Sequence, residues 1–233
     1  MYWIIISILV IGLILFLTWA SADVGSNIYL KVLCRRKTKE RIVALTFDDG
    51  PDEEWTPKVL QVLKEYDIKA TFFLIGKKVD KNPDIVNRMI DEGHTIGKHS
   101  FSHQGRFPIR SQATIIDELS KCSESIFKVT NRRTKLFRPP FGVTNPTIGK
   151  VVKRLGYKTI GWSIRSFDTI KYRSREAVCR RVISKLHPGA IILLHDRCEK
   201  SDELLRNIIE IVLERKYRFV SLEELLNIGT YEN

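Results

Sequence analysis

Two adjacent aspartates, Asp48 and Asp49, end a run of β-branched and apolar residues (41–47, RIVALTF) and precede Gly50-Pro51. Two carboxylates at the end of a buried strand repel each other, and each costs free energy to desolvate unless something neutralises it. Asp-Gly and Gly-Pro are also common turn sequences, so the pair alone is compatible with an ordinary loop. A bound cation or a proton transfer would instead give both carboxylates a chemical task.

The histidines of the sequence favour a bound cation as the partner of these carboxylates. His99 and His103 are four residues apart, a spacing that on a helical turn would place both imidazoles on one face, as in many zinc sites. The spacing alone is weak, but His195 also lies at the end of a predicted strand. One carboxylate of the aspartate pair would complete a three-ligand site with an open coordination position, and the other would remain as a candidate general base.

The elements that must position these residues alternate along the chain between strand-like and helix-like segments. This alternation predicts parallel strands with helices packed outside, and seven units favour a closed or nearly closed barrel over an open sheet. The predicted strands are 41–47, 70–75, 94–98, 134–137, 158–162, 190–195 and 217–220. The predicted helices are 55–66, 83–92, one after Ser111, 201–215, and a last one opened by the capping box Ser221-x-x-Glu224.

Unusual polar residues follow the ends of these strands, where the chemistry of parallel α/β folds collects. Four of the groups, read in chain order, are TFDDG (46–50), HSFSH (99–103), RPPFG (138–142) and ILLHD (192–196). In this order and with these separations they resemble the motifs of the polysaccharide deacetylase family, which is carbohydrate esterase family four with its NodB-homology domain. The resemblance covers roughly residues 41–226. It implies a distorted seven-unit (β/α) barrel and a metal-dependent N-deacetylase, usually with Zn²⁺ and with Co²⁺ or Ni²⁺ as alternatives.

The resemblance also implies a role for each matching residue. Asp48 corresponds to the catalytic base, and Asp49, His99 and His103 correspond to the metal ligands. The other matches are Arg138, which orients the base; Pro139 and Phe141, which contact the substrate and its oxyanion; Leu193, which lines the acyl pocket; His195, the general acid; and Asp168, which orients that histidine.

Two positions depart from the family pattern. The family often has D-x-x-D-W where this chain has Arg165-Ser-Phe-Asp168-Thr169, so an arginine replaces the first acid and a threonine replaces the tryptophan. The loss of the indole removes an apolar wall, and Arg165 adds positive charge near the expected substrate. We therefore expect a charged or lipid-linked sugar to suit this site better than neutral chitin.

The N-terminus predicts a membrane anchor. Residues 2–20 carry no charge, would span about 28 Å as a helix, and have Trp3 and Trp19 near their ends. A cleaved signal peptide is the alternative, since Ser21-Ala22-Asp23 is compatible with a cleavage site, but a basic n-region is absent. The predicted organisation is a transmembrane anchor at 1–22, a basic juxtamembrane linker at 23–40 and a catalytic domain at 41–228.

Charge and cysteine usage bear on location and partners. The net charge of +12 favours anionic surroundings such as lipid head groups or cell-wall polymers. The basic residues between 31 and 41 favour a cytoplasmic domain, whereas a cell-wall substrate would require the outer side. No nucleic-acid motif is present, and we expect a monomer. Four free thiols in a reducing compartment fit these widely spaced cysteines slightly better than two disulfides in an oxidising one. The cysteines are Cys34, Cys122, Cys179 and Cys198.

The sequence therefore predicts a membrane-anchored hydrolase that removes N-acetyl groups from amino sugars of a polysaccharide, peptidoglycan or oligosaccharide. A deacetylase or deformylase of a lipid-linked sugar is the near alternative. A catalytically inactive, carbohydrate-binding membrane protein is the alternative from another class. A metal-dependent peptidase is disfavoured because the chain has no HExxH motif.

Overall fold

A computed structural model describes residues 2–232 of the chain. The strands are β1 (Val32–Leu33), β2 (Ile42–Asp48), β3 (Thr71–Leu74), β4 (Thr95–Lys98), β5 (Leu136–Phe137), β6 (Lys158–Ile160), β7 (Ile164–Arg165), β8 (Ala190–His195) and β9 (Arg218–Phe219). The helices are α1 (Tyr2–Ala22), α2 (Trp55–Glu65), α3 (Gly76–Lys81), α4 (Pro83–Asp91), α5 (Gln112–Thr130), α6 (Pro146–Leu155), α7 (Arg175–Ser184), α8 (Ser201–Glu214) and α9 (Leu222–Leu226).

The strands form one parallel sheet in the order β1-β6-β5-β4-β3-β2-β8-β7, and β9 also pairs with β2. Strand β2 is an inner strand between β3 and β8, and all of its residues are buried. Such a strand reads as a nearly continuous apolar run because both of its faces are covered. This is why RIVALTF is recognisable from the sequence.

The sheet curls into an incomplete barrel. Strands β6 and β7 are consecutive in the chain, yet β6 pairs with β1 and β5 while β7 pairs with β8. Within residues 2–232 no strand pairing joins β6 to β7, and the chain itself crosses this gap through residues 161–163. The predicted α/β fold with parallel strands and one N-terminal apolar helix is confirmed, in the form of a curled half-barrel.

The sequence pattern does not predict several of the shorter strands and helices. Strands β1 and β7 have two residues each, too few to show a period, and β7 ends in the exposed Arg165. The sequence pattern also does not predict helices α3, α6 and α7. Part of the segment expected to be a linker is built into the domain, because Val32 pairs with Thr159 and the backbone N–H of Arg36 donates to the carbonyl of Gly189 at 2.9 Å.

Side chains alternate along β2 and thereby separate the core from the site. Leu45 and Phe47 enter the large apolar cluster between sheet and helices, where Phe47 stacks on Phe72 with ring centroids 5.0 Å apart. The intervening Thr46 and Asp48 reach the opposite face and both accept hydrogen bonds from Arg138. The period of the strand therefore presents the polar residues to the interior of the half-barrel.

Helix α1 has a mean hydropathy of 2.6 over its most apolar window and is long enough to cross a bilayer. Residues 2–19 are exposed, but the C-terminal end of the helix is packed on the domain and Ala20 is fully buried. The backbone N–H of Thr144 donates to the carbonyl of Ser21 at 3.0 Å, and the hydroxyl of Ser26 donates to the carbonyl of Ala20 at 2.8 Å. The last turn of α1 is thus part of the folded domain; residue 1 of the predicted anchor lies outside the described residues.

Candidate active site

The strand register brings the sequence-predicted residues to one edge of the half-barrel. Asp48 at the end of β2 is the register partner of His195 at the end of β8. Lys98, which precedes His99, is the partner of Phe137, which precedes Arg138. Residues far apart in the chain therefore meet because parallel strands end together.

Arg138 and Asp48 form a buried ion pair. The guanidinium of Arg138 is fully buried, and its Nη1 donates to Asp48 Oδ1 at 2.7 Å and to the Thr46 hydroxyl at 2.8 Å. Burial lowers the pKa of Arg138, and the negative charge of Asp48 opposes this shift. The two opposite charges compensate each other in the buried site. Asp48 Oδ2 remains on the side of His99, 3.9 Å from its Nε2.

Three side chains converge as a set of metal-ligand atoms: Asp49, His99 and His103. Their ligand atoms lie within 4.8 Å of one another, and Asp49 Oδ1 is 3.3 Å from His103 Nε2 and 3.5 Å from His99 Nε2. Asp49 Oδ1 is buried without a hydrogen-bond partner in residues 2–232. A buried, unpartnered carboxylate oxygen facing two imidazole nitrogens is what a divalent cation would satisfy.

The surroundings of the ligands favour the protonation states that a metal needs. His99 Nδ1 lies 2.8 Å from the carbonyl of Arg138, which can only accept, so the hydrogen is on Nδ1 and the lone pair is on Nε2. Burial lowers the pKa of His103 to about 4, so this imidazole is neutral at neutral pH. Burial alone would raise the pKa of Asp49, but the neighbouring histidines and Arg197 outweigh it and lower the pKa to about 2.

The two histidines lie on an irregular loop after β4 and not on a helical turn. Ser100 has φ 73° and His103 has φ 49°, both in the left-handed region that non-glycine residues seldom adopt. This path turns the two rings toward each other, with centroids 4.8 Å apart. The four-residue spacing is therefore correct for a shared site, but the local conformation that produces it is different.

His195 is held by Asp168. His195 Nδ1 lies 2.8 Å from Asp168 Oδ1, and the backbone N–H of His195 donates to Asp168 Oδ2 at 2.7 Å. Burial alone would lower the pKa of His195, but the hydrogen bond and charge of Asp168 outweigh this and raise the pKa above its usual value. His195 Nε2 lies 4.0 Å from Asp49 Oδ2, so the ring faces the three converging side chains.

One further residue of the site was not predicted from the sequence. Arg197 Nε donates to Asp49 Oδ2 at 2.8 Å, which holds this carboxylate while Oδ1 faces the histidines. Arg197 follows ILLHD directly, but a single arginine in a loop has no pattern that separates it from other surface arginines.

A cavity of about 130 Å³ opens above these groups. Phe141, predicted as a substrate contact, lines it in the left-handed conformation (φ 62°), with its ring 4.7 Å from that of His103. Leu193 also lines the cavity, whereas Pro139 is buried and does not line it in the described part of the chain. Arg165 and Thr169, the two residues that depart from the family pattern, line the wall of this cavity together with Trp162.

A sequence model of the family "Polysaccharide deacetylase" matches residues 35–160. The peptidoglycan-N-acetylmuramic acid deacetylase PdaA of Bacillus subtilis is 38% identical over 192 residues, which cover 81% of this chain and 73% of that protein.

Solved structures have the same fold. The Bc1960 peptidoglycan N-acetylglucosamine deacetylase superimposes with a TM-score of 0.81 at 31% identity, covering 86% of this chain and 94% of that one. BA3943 of Bacillus anthracis, described as a CE4 family pseudoenzyme, superimposes with a TM-score of 0.78 at 31% identity, covering 84% and 69%. The fold is thus shared with a protein named as a deacetylase and with one described as a pseudoenzyme.

The ligand set yields a prediction about metal content. His99→Ala and Asp49→Ala should each lose bound divalent metal, because two remaining ligands cannot hold the ion against dialysis. Elemental analysis after dialysis against Zn²⁺ and then buffer is the measurement. His187→Ala, which removes a histidine that contacts Ser163 and Pro188 away from this cluster, is the matched control and should retain the metal. Equal metal content in all variants would contradict the assignment.

Proposed function

We propose that this chain, which belongs to the polysaccharide deacetylase family, is a metal-dependent hydrolase that removes N-acetyl groups from amino sugars of peptidoglycan. The observation that supports this most directly is the unpartnered Asp49 Oδ1 facing His99 and His103, with Asp48 on one side and His195 on the other. The proposed ligands, base and acid then lie together at one edge of the half-barrel.

Asp49, His99 and His103 would hold the ion. When bound, a divalent ion lowers the pKa of a water molecule and polarises the amide carbonyl of the substrate. Asp48 is placed to accept the proton of the attacking water at Oδ2, because its Oδ1 is occupied by Arg138. Arg138 keeps the base in position, since Ile160 and Gly161 carbonyls fix the guanidinium at 3.2 and 2.8 Å.

His195 is placed to protonate the leaving amine. Its Nδ1–H donates to Asp168, and the raised pKa favours the imidazolium, whose second proton on Nε2 faces the cavity. Without this proton an amine anion would have to leave, which is energetically prohibitive. We assign the backbone N–H of Phe141 to the developing oxyanion and Leu193 to the acyl pocket, because both residues line the cavity beside His195.

Peptidoglycan is the substrate class that the relatives support, since their names specify N-acetylmuramic acid or N-acetylglucosamine in peptidoglycan. A deacetylase or deformylase of a lipid-linked sugar remains the near alternative, and the membrane helix is the observation that favours it. An inactive carbohydrate-binding protein is the alternative from another class, with BA3943 as a structural neighbour of that kind. The complete set of ligands, base and acid in this chain argues against inactivity.

We further propose that α1 is retained as a single-pass membrane anchor. The residues at which a signal peptide would be cut, Ser21-Ala22-Asp23, lie in and after the last turn of α1, which is packed on the domain. Thr144 and Ser26 both hydrogen-bond to this turn. A peptidoglycan substrate places the domain outside the cytoplasmic membrane, although the basic residues between 31 and 41 favour the opposite side.

Removing the base or the acid should abolish turnover while the metal stays bound. Asp48→Asn and His195→Ala should each lower kcat for acetate release by at least about 10²–10⁴-fold, the usual contribution of general base or acid catalysis. Acetate released from peptidoglycan strands and zinc content are measured on the same samples. Asp117→Asn, on the exposed face of α5, is the control and should behave as wild type. Full activity in either active-site variant would overturn the mechanism, and a metal-loaded wild type without acetate release would support the inactive alternative.

The pairing of His195 with Asp168 predicts a change in the pH profile. His195 acts in its protonated form, so a raised pKa keeps it active to higher pH. Asp168→Asn removes the negative charge, lets the pKa of His195 fall, and should move the alkaline limb of kcat/KM to lower pH. Profiles of wild type and variant with the same metal content are compared. An alkaline limb that stays in place or moves upward would contradict the role of Asp168.

A retained anchor predicts that the full-length protein stays with membranes after an alkaline carbonate wash. Its intact mass should include residues 2–22, and protease added to wall-free cells should digest the domain if it lies outside. A soluble product that begins at Asp23 would show that α1 is a cleaved signal. Resistance of the domain to added protease in sealed cells would place it in the cytoplasm and would leave the anchor intact.

A further inference from the structure

Three arginines surround a single aromatic ring beside the catalytic cavity. The guanidinium carbons of Arg165, Arg173 and Arg181 lie 4.8, 5.3 and 4.4 Å from the ring centroid of Phe167. Phe167 itself has φ 60°, in the left-handed region, and is half-buried. We refer to Arg165, Arg173 and Arg181 as the Phe167 arginine cluster.

The cluster has no acidic partner. No carboxylate oxygen in residues 2–232 lies within 4.0 Å of a nitrogen of any of the three arginines. Other arginines nearby are paired, Arg175 with Glu203 at 3.1 Å and Arg197 with Asp49 at 2.8 Å. Three like charges gathered around one ring repel each other, and an anion bound among them would relieve this repulsion.

One guanidinium of the cluster is held by a hydrogen bond, and another lies near a second aromatic ring. Arg181 Nε donates to the backbone carbonyl of Arg165 at 2.9 Å. The guanidinium of Arg165 lies near a second ring, with its carbon 5.6 Å from the centroid of Trp162. Planar guanidiniums that are already oriented bind carboxylates with less loss of side-chain entropy, and they can do so through two parallel hydrogen bonds.

The cluster adjoins the site of reaction. Arg165 lines the catalytic cavity, whose wall also includes Thr169 and Arg197. A second, larger cavity of about 530 Å³ shares Thr169 and Arg197 with the first, and Arg173 lines it. The charged residues around this second cavity are Lys171, Arg173, Arg175 and Arg197 against Asp168, Glu176 and Glu199. Asp168, Arg175 and Arg197 are already paired with His195, Glu203 and Asp49, which leaves Lys171 and Arg173 against Glu176 and Glu199 in this wall.

We propose that the Phe167 arginine cluster binds a carboxylate of the glycan substrate and thereby selects strands that contain muramic acid over neutral polymers of N-acetylglucosamine. This inference rests on the proposed deacetylase function and specifies its substrate. The lactyl ether of muramic acid ends in a carboxylate when the peptide has been removed, and peptide stems carry carboxylates of their own. The shared chemistry is a carboxylate close to the N-acetyl group that enters the cavity.

The test compares three substrates that differ in this carboxylate. Peptide-free peptidoglycan strands carry the lactyl carboxylate, the same strands with that group converted to a methyl amide do not, and strands with intact stems carry the carboxylates of the peptide. Binding is measured by calorimetry on the zinc-loaded full-length protein in detergent, and acetate release is measured separately. We expect wild type to bind the peptide-free strands about tenfold more tightly than the amidated ones.

Arg173→Gln and the double variant Arg173→Gln/Arg181→Gln should lose this preference, with a rise of KM on the peptide-free strands and little change in kcat. Arg173 is exposed on a loop, so the single variant keeps the test valid even if the double variant unfolds. Arg180→Gln is the matched control. Arg180 lies on α7 beside Arg181 but lines a different cavity, together with Cys179 and Ile183. It should retain the wild-type preference.

The outcomes separate the two proposals. Equal binding of peptide-free and amidated strands by wild type would overturn the proposed binding of a carboxylate by the cluster, whether or not acetate is released. Tighter binding only of strands with intact stems would assign the site to the peptide and overturn selection of the lactyl group. A carboxylate preference that Arg173→Gln leaves unchanged would also overturn it. Carboxylate-dependent binding without acetate release would support the cluster and contradict the deacetylase function.

Discussion

The buried ion pair between Arg138 and Asp48 is the interaction on which the site depends. A fully buried guanidinium is costly unless an anion and enough acceptors surround it, and here a carboxylate, a hydroxyl and two backbone carbonyls do so. The carbonyls belong to residues 160 and 161, at the end of β6, so the pair also links β2, β5 and β6 at their carboxyl ends. Replacing either charge would leave the other unpaired in the core of the half-barrel.

The second constraint is that Asp48 and Asp49 must face different partners although they are neighbours in sequence. Asp48 ends β2 and takes the interior direction of the strand, while Asp49 has φ 72° and leaves it. The left-handed conformation turns the second carboxylate toward His99 and His103, where Arg197 holds its other oxygen. The repulsion expected between adjacent acids is thus removed by giving each its own cation or cation site.

The sequence is informative where one element carries the signal. TFDDG and ILLHD end long buried strands, so both their chemistry and their position could be predicted, and the register then places Asp48 opposite His195. The conformation of HSFSH could not be predicted, because the left-handed residues Ser100 and His103 are set by the surrounding contacts and not by local propensity. The contact of Arg197 and the assembly of the Phe167 arginine cluster could not be predicted from the sequence for a related reason. Their members come from separate segments, and only the fold brings them to one ring or one carboxylate.

With the proposed anchor and function, the docking of α1 on the domain would determine how far the active site can reach. Thr144, which bonds to the last turn of α1, follows the cavity-lining Gly142 by two residues, a chain distance of at most about 7 Å. If α1 is a retained anchor, as we propose, this contact within residues 2–232 would fix the height of the cavity above the bilayer. With the proposed function, an enzyme held at this height would modify strands close to the membrane.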